Sequence, residues 1–545
     1  VPAKANYQSQ EKERSMSFRS FVIVLVLVGL SPLYATHTGQ VTRSHQAPGK
    51  FATGLTFDGT SLWVADYKAD KLFQVDPETG KILHAIPSPG FWPMGLAFDG
   101  THLWNVDKEQ KMIFRIDPED GTVVKAIEAP SSHPEGLCWD GRTLWVGDDK
   151  ANKIMRIDLS DGTAVKTLTS PAQSCNGLCF DGTYLWSSDR TTDEIYMIDP
   201  DSGEVLIICD APGPYPRGLA FDGANLWTVD YEKDTVYQLE RQGETAFQLS
   251  DTRRTKITAT HETRVYGQGQ VKELDVFFAL PENLPQQKIL SKAVLPEHTI
   301  KQDRWGQSVA AIHVEAIASE STVQCLLEVE AKISAIRYFI FPDRCGTLDN
   351  IPQAIRDRYT ADGTKYQMQD PYMVKLAQKL AGDETNPYKI ARRIFNHVGD
   401  KLVYKLEGGW NTAPVVLQRG TGSCSEYSFC FIALCRAAGV PARYVGAYVV
   451  RGDDASLDDV FHRWPEVYLP HYGWVRMDAQ AGDKTKPRDK AMAIGNLANR
   501  YLITTQGGGD SEYLGWYYNH HETYQMDPKV KVHFDVFAEW EPLAD

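Results

Sequence analysis

The sequence predicts a multidomain chain: an all-β propeller of five 41-residue repeats, then a β-sandwich, then an α+β domain. Three observations predict it. Five copies of one residue pattern stand at constant spacing in the first half. A stretch without helical periodicity follows, rich in β-branched and aromatic residues. Beyond Pro342, helix starts return at Asp370-Pro371 and Asn386-Pro387, each a capping residue followed by a first-turn proline.

At 545 residues the chain is too long for one hydrophobic core. Its 42% hydrophobic and 23% charged residues are those of an ordinary globular protein. The net charge of −14, with no dense Lys/Arg run, gives no electrostatic footprint for nucleic acid or anionic lipid. Nucleic acid is therefore not an expected partner. Residues 1–35 read as a leader with an upstream extension. Arg19 follows Met16, an apolar run extends from Phe21 to Val28, and Ser31-Pro32-Leu33-Tyr34-Ala35 ends in a small residue. The run is shorter than the roughly 20 residues that span a bilayer. The expectation is a secreted or periplasmic protein, cut near Ala35, with no stable membrane span.

Residues 36–250 carry the repeat. Gly54, Gly95, Gly136, Gly177 and Gly218 each precede a leucine. The same period sets Asp58, Asp99, Asp140, Asp181 and Asp222 before glycine, and Trp63, Trp104, Trp145, Trp186 and Trp227 after leucine. It also sets Asp66, Asp107, Asp148, Asp189 and Asp230. Each unit reads as four short strands joined by Asp-Gly and Asp-Pro turns, the pattern of a propeller blade. Residues 40–49 align with a fourth strand, so the N-terminal end can close the ring; five blades, or six with a degenerate one, both satisfy the spacing. The repeated Trp residues read as packing between blades and the repeated Asp residues as turn caps. Residues that differ between copies, Phe91-Trp92, Ser132-His133, Gln173-Ser174 and Tyr215, would ring one mouth and suit a protein or glycan ligand. In wording, "SLWVADYKADKLFQVDPETGKI" resembles the NHL and YVTN propeller families over residues 37–250.

Residues 251–345 alternate in the manner of strands, as in Leu274 to Leu280 and Ala331 to Phe341, and predict an antiparallel sandwich. Residues 346–545 form the last domain. Its chemistry centres on one of nine cysteines, an odd number that leaves at least one thiol unpaired. None forms a CxxC pair, so no metal site or other cofactor is expected. Cys325 and Cys345 are a candidate disulfide that spacing alone does not establish. Ser423 and Glu426 have capping-box spacing, which puts Cys424 in the first turn of a helix ending at Gly439. There the helix dipole and free N–H groups favour a thiolate. Cys430 and Cys435 fall among apolar residues further in, where packing is their role.

A thiolate nucleophile needs a base, and the base needs an orienting partner. Phe461 to Tyr468 and Trp474 to Asp478 read as two strands of a hairpin. An odd loop centred near His471 puts His462 and Asp478 on one face; an even loop separates them. Glu466 shares the His462 face. Residues 453–459 read as a solvated acidic loop, and His520-His521 as surface.

These residues carry a specific resemblance. "GSCSEYSFCFIALCRAAGVPARYVGAY" followed by "HRWPEVYLPHYGWVRMDAQ" is similar to the core of the transglutaminase-like superfamily over residues 350–510. The resemblance implies an α+β papain-like fold, with the family's Cys, His and Asp on Cys424, His462 and Asp478. It implies acyl transfer from a peptide or protein amide, with hydrolysis favoured over cross-linking and the propeller as a binding module. Oxyanion donors would be the Cys424 backbone N–H, Gln418 and Trp410. The alternative is a non-catalytic exported protein that binds through its propeller and keeps this fold as a scaffold.

Overall fold

The computed structural model describes residues 35–406, 410–452 and 456–544. The leader-like segment ahead of Ala35 lies outside the described residues. From Thr36 onward the chain packs as one compact unit.

Five four-stranded antiparallel sheets form the propeller. The first comprises Ala52–Phe57, Leu62–Asp66, Lys71–Val75 and Ile82–Pro87. Three further blades repeat it in chain order. The fifth has only three consecutive strands, Pro216–Phe221, Leu226–Asp230 and Thr235–Leu239, and takes its fourth from Val41–Gln46. The ring has five blades and is closed by that N-terminal strand. Its axis is lined by glycine for a steric reason. A Cβ on Gly54 would lie 2.0 Å from the Met94 carbonyl oxygen of the next blade, and one on Gly218 2.5 Å from the Leu55 nitrogen. Only glycine lets neighbouring inner strands approach this closely.

The repeated side chains hold each blade together. Asp58 accepts from Thr60 N and Ser61 N at 2.8 and 2.7 Å, and from Trp63 Nε1 at 2.8 Å. The pairs Asp99–Trp104, Asp140–Trp145, Asp181–Trp186 and Asp222–Trp227 repeat the indole bond at 2.7 to 2.9 Å. Each aspartate therefore closes a hairpin and satisfies the polar edge of a buried indole.

Two sheets make the sandwich. One runs Gln287–Leu295, Ser321–Tyr338, Phe247–Gly267, Val530–Pro542 and Ser456–Asp458, with Asn496–Leu497 on Ser321–Tyr338. The other runs Thr299–Gln302, Ser308–Ala318, Gln270–Ala279 and His520–Met526. The sheets cross the expected domain limits, because four strands from beyond residue 345 belong to them. The reason is edge pairing: Val530–Pro542 covers the long strand Phe247–Gly267 from Thr255 to Gly267, which otherwise presents unpaired N–H and C=O groups. The candidate Cys325–Cys345 disulfide is also corrected. Both thiols are free, Cys325 in the sandwich core and Cys345 in the core of the α+β domain.

The described residues contain six α-helices: α1 (Gln353–Tyr359), α2 (Pro371–Ala381), α3 (Pro387–Lys401), α4 (Ala413–Arg419), α5 (Cys424–Ala437) and α6 (Pro487–Ala491). Asp370 caps α2 by accepting from Tyr372 N, and Asn386 caps α3 through Tyr388 N and Lys389 N. The buried helix α5 packs against a sheet ordered Gly473–Arg476, His462–Leu469, Ala442–Val449 and Tyr501–Gly507. The fourth blade docks here. Its outer strand Val205–Asp210 buries Val205, whereas the matching residues Ile82 and Leu83 of the first blade are exposed. Arg392 of α3 donates to the Val205 carbonyl at 2.9 Å, and Arg488 of α6 grips buried Glu194 at 2.8 Å through two nitrogens.

Candidate active site

Helix α5 begins at Cys424 because Ser423 has extended backbone and Glu426 reaches back to it. Glu426 is buried, and its Oε2 accepts from Ser423 N at 3.1 Å and from Arg419 at 2.9 Å. Its Oε1 accepts from Asn411 N at 3.0 Å. One carboxylate thus joins the helix start, the end of α4 and the preceding loop. Cys424 occupies the first helical position, where N–H groups have no intrahelical acceptor. Cys430 and Cys435 are fully buried further along. Burial pushes both of those thiols well above their ordinary value.

The hairpin has the odd register. Leu469 pairs with Gly473 and Glu466 with Arg476, leaving a three-residue loop at 470–472. His471 takes a positive φ of 74° in that loop. His462 and Asp478 consequently project from one face, and His462 Nε2 lies 2.8 Å from Asp478 Oδ2. Cys424 and His462 are neighbours whose ionisation is linked, each favouring the charged form of the other. Asp478 also accepts from Arg476 at 2.8 Å and from Ala481 N at 3.1 Å. The His462 ring packs 5.6 Å from Trp464, which fixes its plane.

The electrostatics follow from these contacts. Burial opposes the charge on His462, but Asp478 and then the neighbouring Cys424 outweigh it and push the imidazole up to about 10. Burial likewise opposes ionisation of Asp478, yet His462 and Arg476 hold it well below the usual carboxylate range. For Cys424 burial is again the largest opposing influence. The hydrogen bond and charge of His462, then the backbone N–H and charge of Arg463, bring the thiol below its ordinary value. A thiol–imidazole pair so biased favours thiolate and imidazolium, which suits nucleophilic attack followed by proton delivery.

The structure brings His462 and Asp478 into contact, with Cys424 close enough to His462 to influence its charge. It does not bring Gln418 to them, because that side chain lies exposed on α4 while Val416 and Leu417 take the buried face. Trp410 is half-buried among rings, 5.0 Å from Tyr517 and 6.2 Å from Phe429. Glu466 is engaged by Arg443 at 2.8 and 2.9 Å rather than by His462. Of the acidic loop, Asp453 and Asp454 lie outside the described residues. Asp458 is fully buried on a strand, bound by Val449 N and Arg451, which corrects its reading as solvated. The surface reading of His520 is corrected as well. Its ring packs 5.5 Å from Phe461, and burial followed by the neighbouring His261 drives it down to about 3.

Arg476 and Arg463 escaped the sequence reading. The alternation that set His462 and Asp478 on one face also assigns Arg476 to it, so that signal was available.

A second cluster sits at one mouth of the propeller. Asp107, Asp189 and Asp230 accept from Trp92 N, Ser174 N and Tyr215 N, so repeated aspartates hold the copy-specific loops. Trp92 lies 5.8 Å from Tyr67, which stacks 6.5 Å from Tyr231, with Tyr215 5.7 Å beyond. Glu135, next to Gly136 on the axis, is buried and bound by Lys108 and by Arg217 at 3.0 Å.

Comparison with known proteins agrees with both halves. Residues 374–479 match the model of the transglutaminase-like superfamily, and residues 32–217 that of glutamine cyclotransferase. An uncharacterised protein of Haemophilus influenzae is 24% identical over 218 residues, 34% of this chain and 58% of that one. The uncharacterised protein YebA of Bacillus subtilis is 29% identical over 149 residues, 23% of this chain and 20% of that one. The chain thus spans less than two thirds of either relative. Among solved structures, a candidate cysteine protease from Cytophaga hutchinsonii is similar at TM-score 0.40 and 16% identity, over 55% of this chain and 93% of that one. Myxococcus xanthus glutaminyl cyclase is similar at TM-score 0.34 and 16% identity, over 38% and 98%. Residues 374–479 of this chain carry the pattern of the transglutaminase-like superfamily, a cysteine-based kind of enzyme, behind a propeller with the pattern of glutamine cyclotransferase.

Proposed function

We propose that the C-terminal part is a thiol-dependent acyl-transfer enzyme acting on peptide or protein amides, exported and assisted by the propeller as its binding module. The observation that carries this reading is the His462 ring, hydrogen-bonded to Asp478 at 2.8 Å and electrostatically linked to Cys424 at the start of α5. In this reading the Cys424 sulfur attacks the amide carbonyl and forms a C–S bond. The tetrahedral oxyanion is met by N–H donors, with the Cys424 backbone N–H at the helix start as the first candidate. As the C–N bond breaks, His462 gives its proton to the departing amine. Water then adds to the thioester while His462 takes its proton, and the thiolate leaves as the carboxylic acid forms. Asp478 keeps the ring oriented and stabilises its charge throughout.

The test is a peptide and protein library incubated with the wild type and with Cys424→Ala. Cleaved amides that vanish in the variant support the reading. Equal products from both proteins overturn it. Adding hydroxylamine as a competing acceptor measures transfer against hydrolysis.

A second reading makes the propeller the working part, as a binding protein on an inactive scaffold. The aromatic mouth and the Glu135–Arg217 pair favour a ligand there, and the glutamine cyclotransferase match suits a peptide. Ligand retention with an inert Cys424 would select it.

A further inference from the structure

Between the sandwich and the sheet that carries His462 lies a cavity of about 330 Å³ that the chemistry above does not use. One wall is apolar. Phe247, Ile336 and Leu497 come from sandwich strands, where Ile336 pairs with Leu497, and Leu284 comes from the loop before Gln287–Leu295. The other wall comes from the α+β sheet and is polar, with Arg443, Trp464, Glu466 and Arg476. Asn496 links the two: its backbone pairs with Arg337, and its carbonyl accepts from Arg476 at 2.7 Å. A mostly apolar space of this size with a few polar groups is the make-up of a small-molecule site.

Three of the lining residues carry a buried polar atom with no protein partner among the described residues. Arg476 gives one amino group to Asp478 and the other to the Asn496 carbonyl, which leaves its Nε–H. Trp464 is 1% exposed, and its Nε1–H has no acceptor. Asn496 donates to the Ile494 carbonyl at 2.7 Å, while its Oδ1 has no donor. A buried polar group left unpaired is costly, so a ligand that pairs all three gains by doing so. Charge narrows the ligand further. The charged residues that line the cavity are Arg443, Glu466 and Arg476. Glu466 already neutralises Arg443 at 2.8 Å, and Asp478 neutralises Arg476 at 2.8 Å. A charged ligand would therefore enter without a counter-ion. Two N–H donors and one acceptor are the complement of a primary carboxamide, whose oxygen accepts twice and whose nitrogen donates.

We propose that this cavity is a second ligand site, which takes a small neutral carboxamide with an apolar body. The amide oxygen accepts from Arg476 Nε and Trp464 Nε1, the amide N–H donates to Asn496 Oδ1, and the body lies against the apolar wall. The site shares residues with the His462–Asp478 pair, since Arg476 also holds Asp478 and Trp464 packs 5.6 Å from His462. Binding there does not depend on Cys424 acting as a nucleophile.

Isothermal titration of the full chain with phenylacetamide tests this, with phenylacetate as the charged counterpart. The wild type is expected to bind phenylacetamide saturably at one site, and phenylacetate about tenfold more weakly. Leu284→Trp fills the apolar side of the cavity and should abolish binding. Trp464→Phe removes one donor and should weaken it about tenfold. Circular dichroism checks each fold. The inference is overturned by a wild type that shows no saturable binding, by binding that Leu284→Trp leaves unchanged, or by phenylacetate as the tighter ligand. If one variant does not fold the other decides, and an affinity equal to that of the wild type overturns the inference. Cys424→Ala is titrated alongside and should bind like the wild type. An inert thiol thus leaves the cavity site standing, and a cavity that binds nothing leaves the enzyme reading standing.

Discussion

The propeller and the α+β domain both bury aspartates, and they use them in opposite ways. Asp58, Asp99 and Asp222 each accept backbone N–H groups and an indole N–H. Burial alone would raise these carboxyls, but the donors more than offset it and hold them below the ordinary value. Asp478 instead faces two cationic groups, His462 and Arg476. A ring of fixed N–H donors, joined at Asp99 by Arg115, makes a carboxylate a peg. A mobile proton opposite it makes the same group part of a site. The repeat shows this too, since pegs recur at every 41 residues and Asp478 occurs outside the period.

Substitutions can break or sharpen that contrast. The largest effect is expected from Asp478→Asn, which preserves shape but offers His462 the wrong partner. Amide cleavage should fall by about 10³- to 10⁴-fold in the variant that remains folded. A variant of near wild-type rate would show Asp478 to be another peg. Asp222→Ala should do the converse. It removes the caps of Ala224 N and Asn225 N and strands the buried Trp227 N–H. A loss of about 2–3 kcal/mol in denaturant unfolding is expected, with the turnover of folded protein unchanged. Arg488→Ala tests a carboxylate at the junction between the two regions. Removing its two 2.8 Å bonds to Glu194 should cost about 1–2 kcal/mol, the range for a partly exposed charged pair.

The smallest expected effect is in the pH dependence, and its two halves have opposite sign. The lowered carboxyls Asp58, Asp99 and Asp222 contribute stability that is full above the ordinary aspartate value of about 3.9 and fades as pH falls through their lower folded values. Acid should lower the unfolding midpoint of the wild type more steeply than that of Asp222→Ala. His462, raised to about 10, contributes stability fully present below the ordinary imidazole value and lost as pH rises through 10. Melting curves of wild type and His462→Ala should therefore converge in alkali. Curves that stay parallel across that window would remove the imidazolium from the site.

Much of the molecule was legible in the residues. A constant period announced the blades, and capping-box spacing set Cys424 at a helix start, because both signals are short-range. The hairpin was legible only conditionally, since strand alternation gives the face once the loop length is known. Gln418 misled because closeness in sequence to Cys424 says nothing about which face of α4 is buried. Arg463 passed unnoticed, although it stands at an odd position on a strand whose odd positions Val467 and Leu469 are fully buried.

By itself the sequence determined the repeat, the helix N-terminus under the thiol, and the alternation that lets His462 and Asp478 share a side. These depend on backbone preferences and hydrogen bonds between near neighbours. Tertiary structure alone decided that Val41–Gln46 completes the fifth blade, that Val530–Pro542 seals the sandwich edge, and that the Arg463 side chain is walled in by four rings. Such arrangements join segments up to hundreds of residues apart. Their energy lies in packing and edge pairing, which no local pattern records.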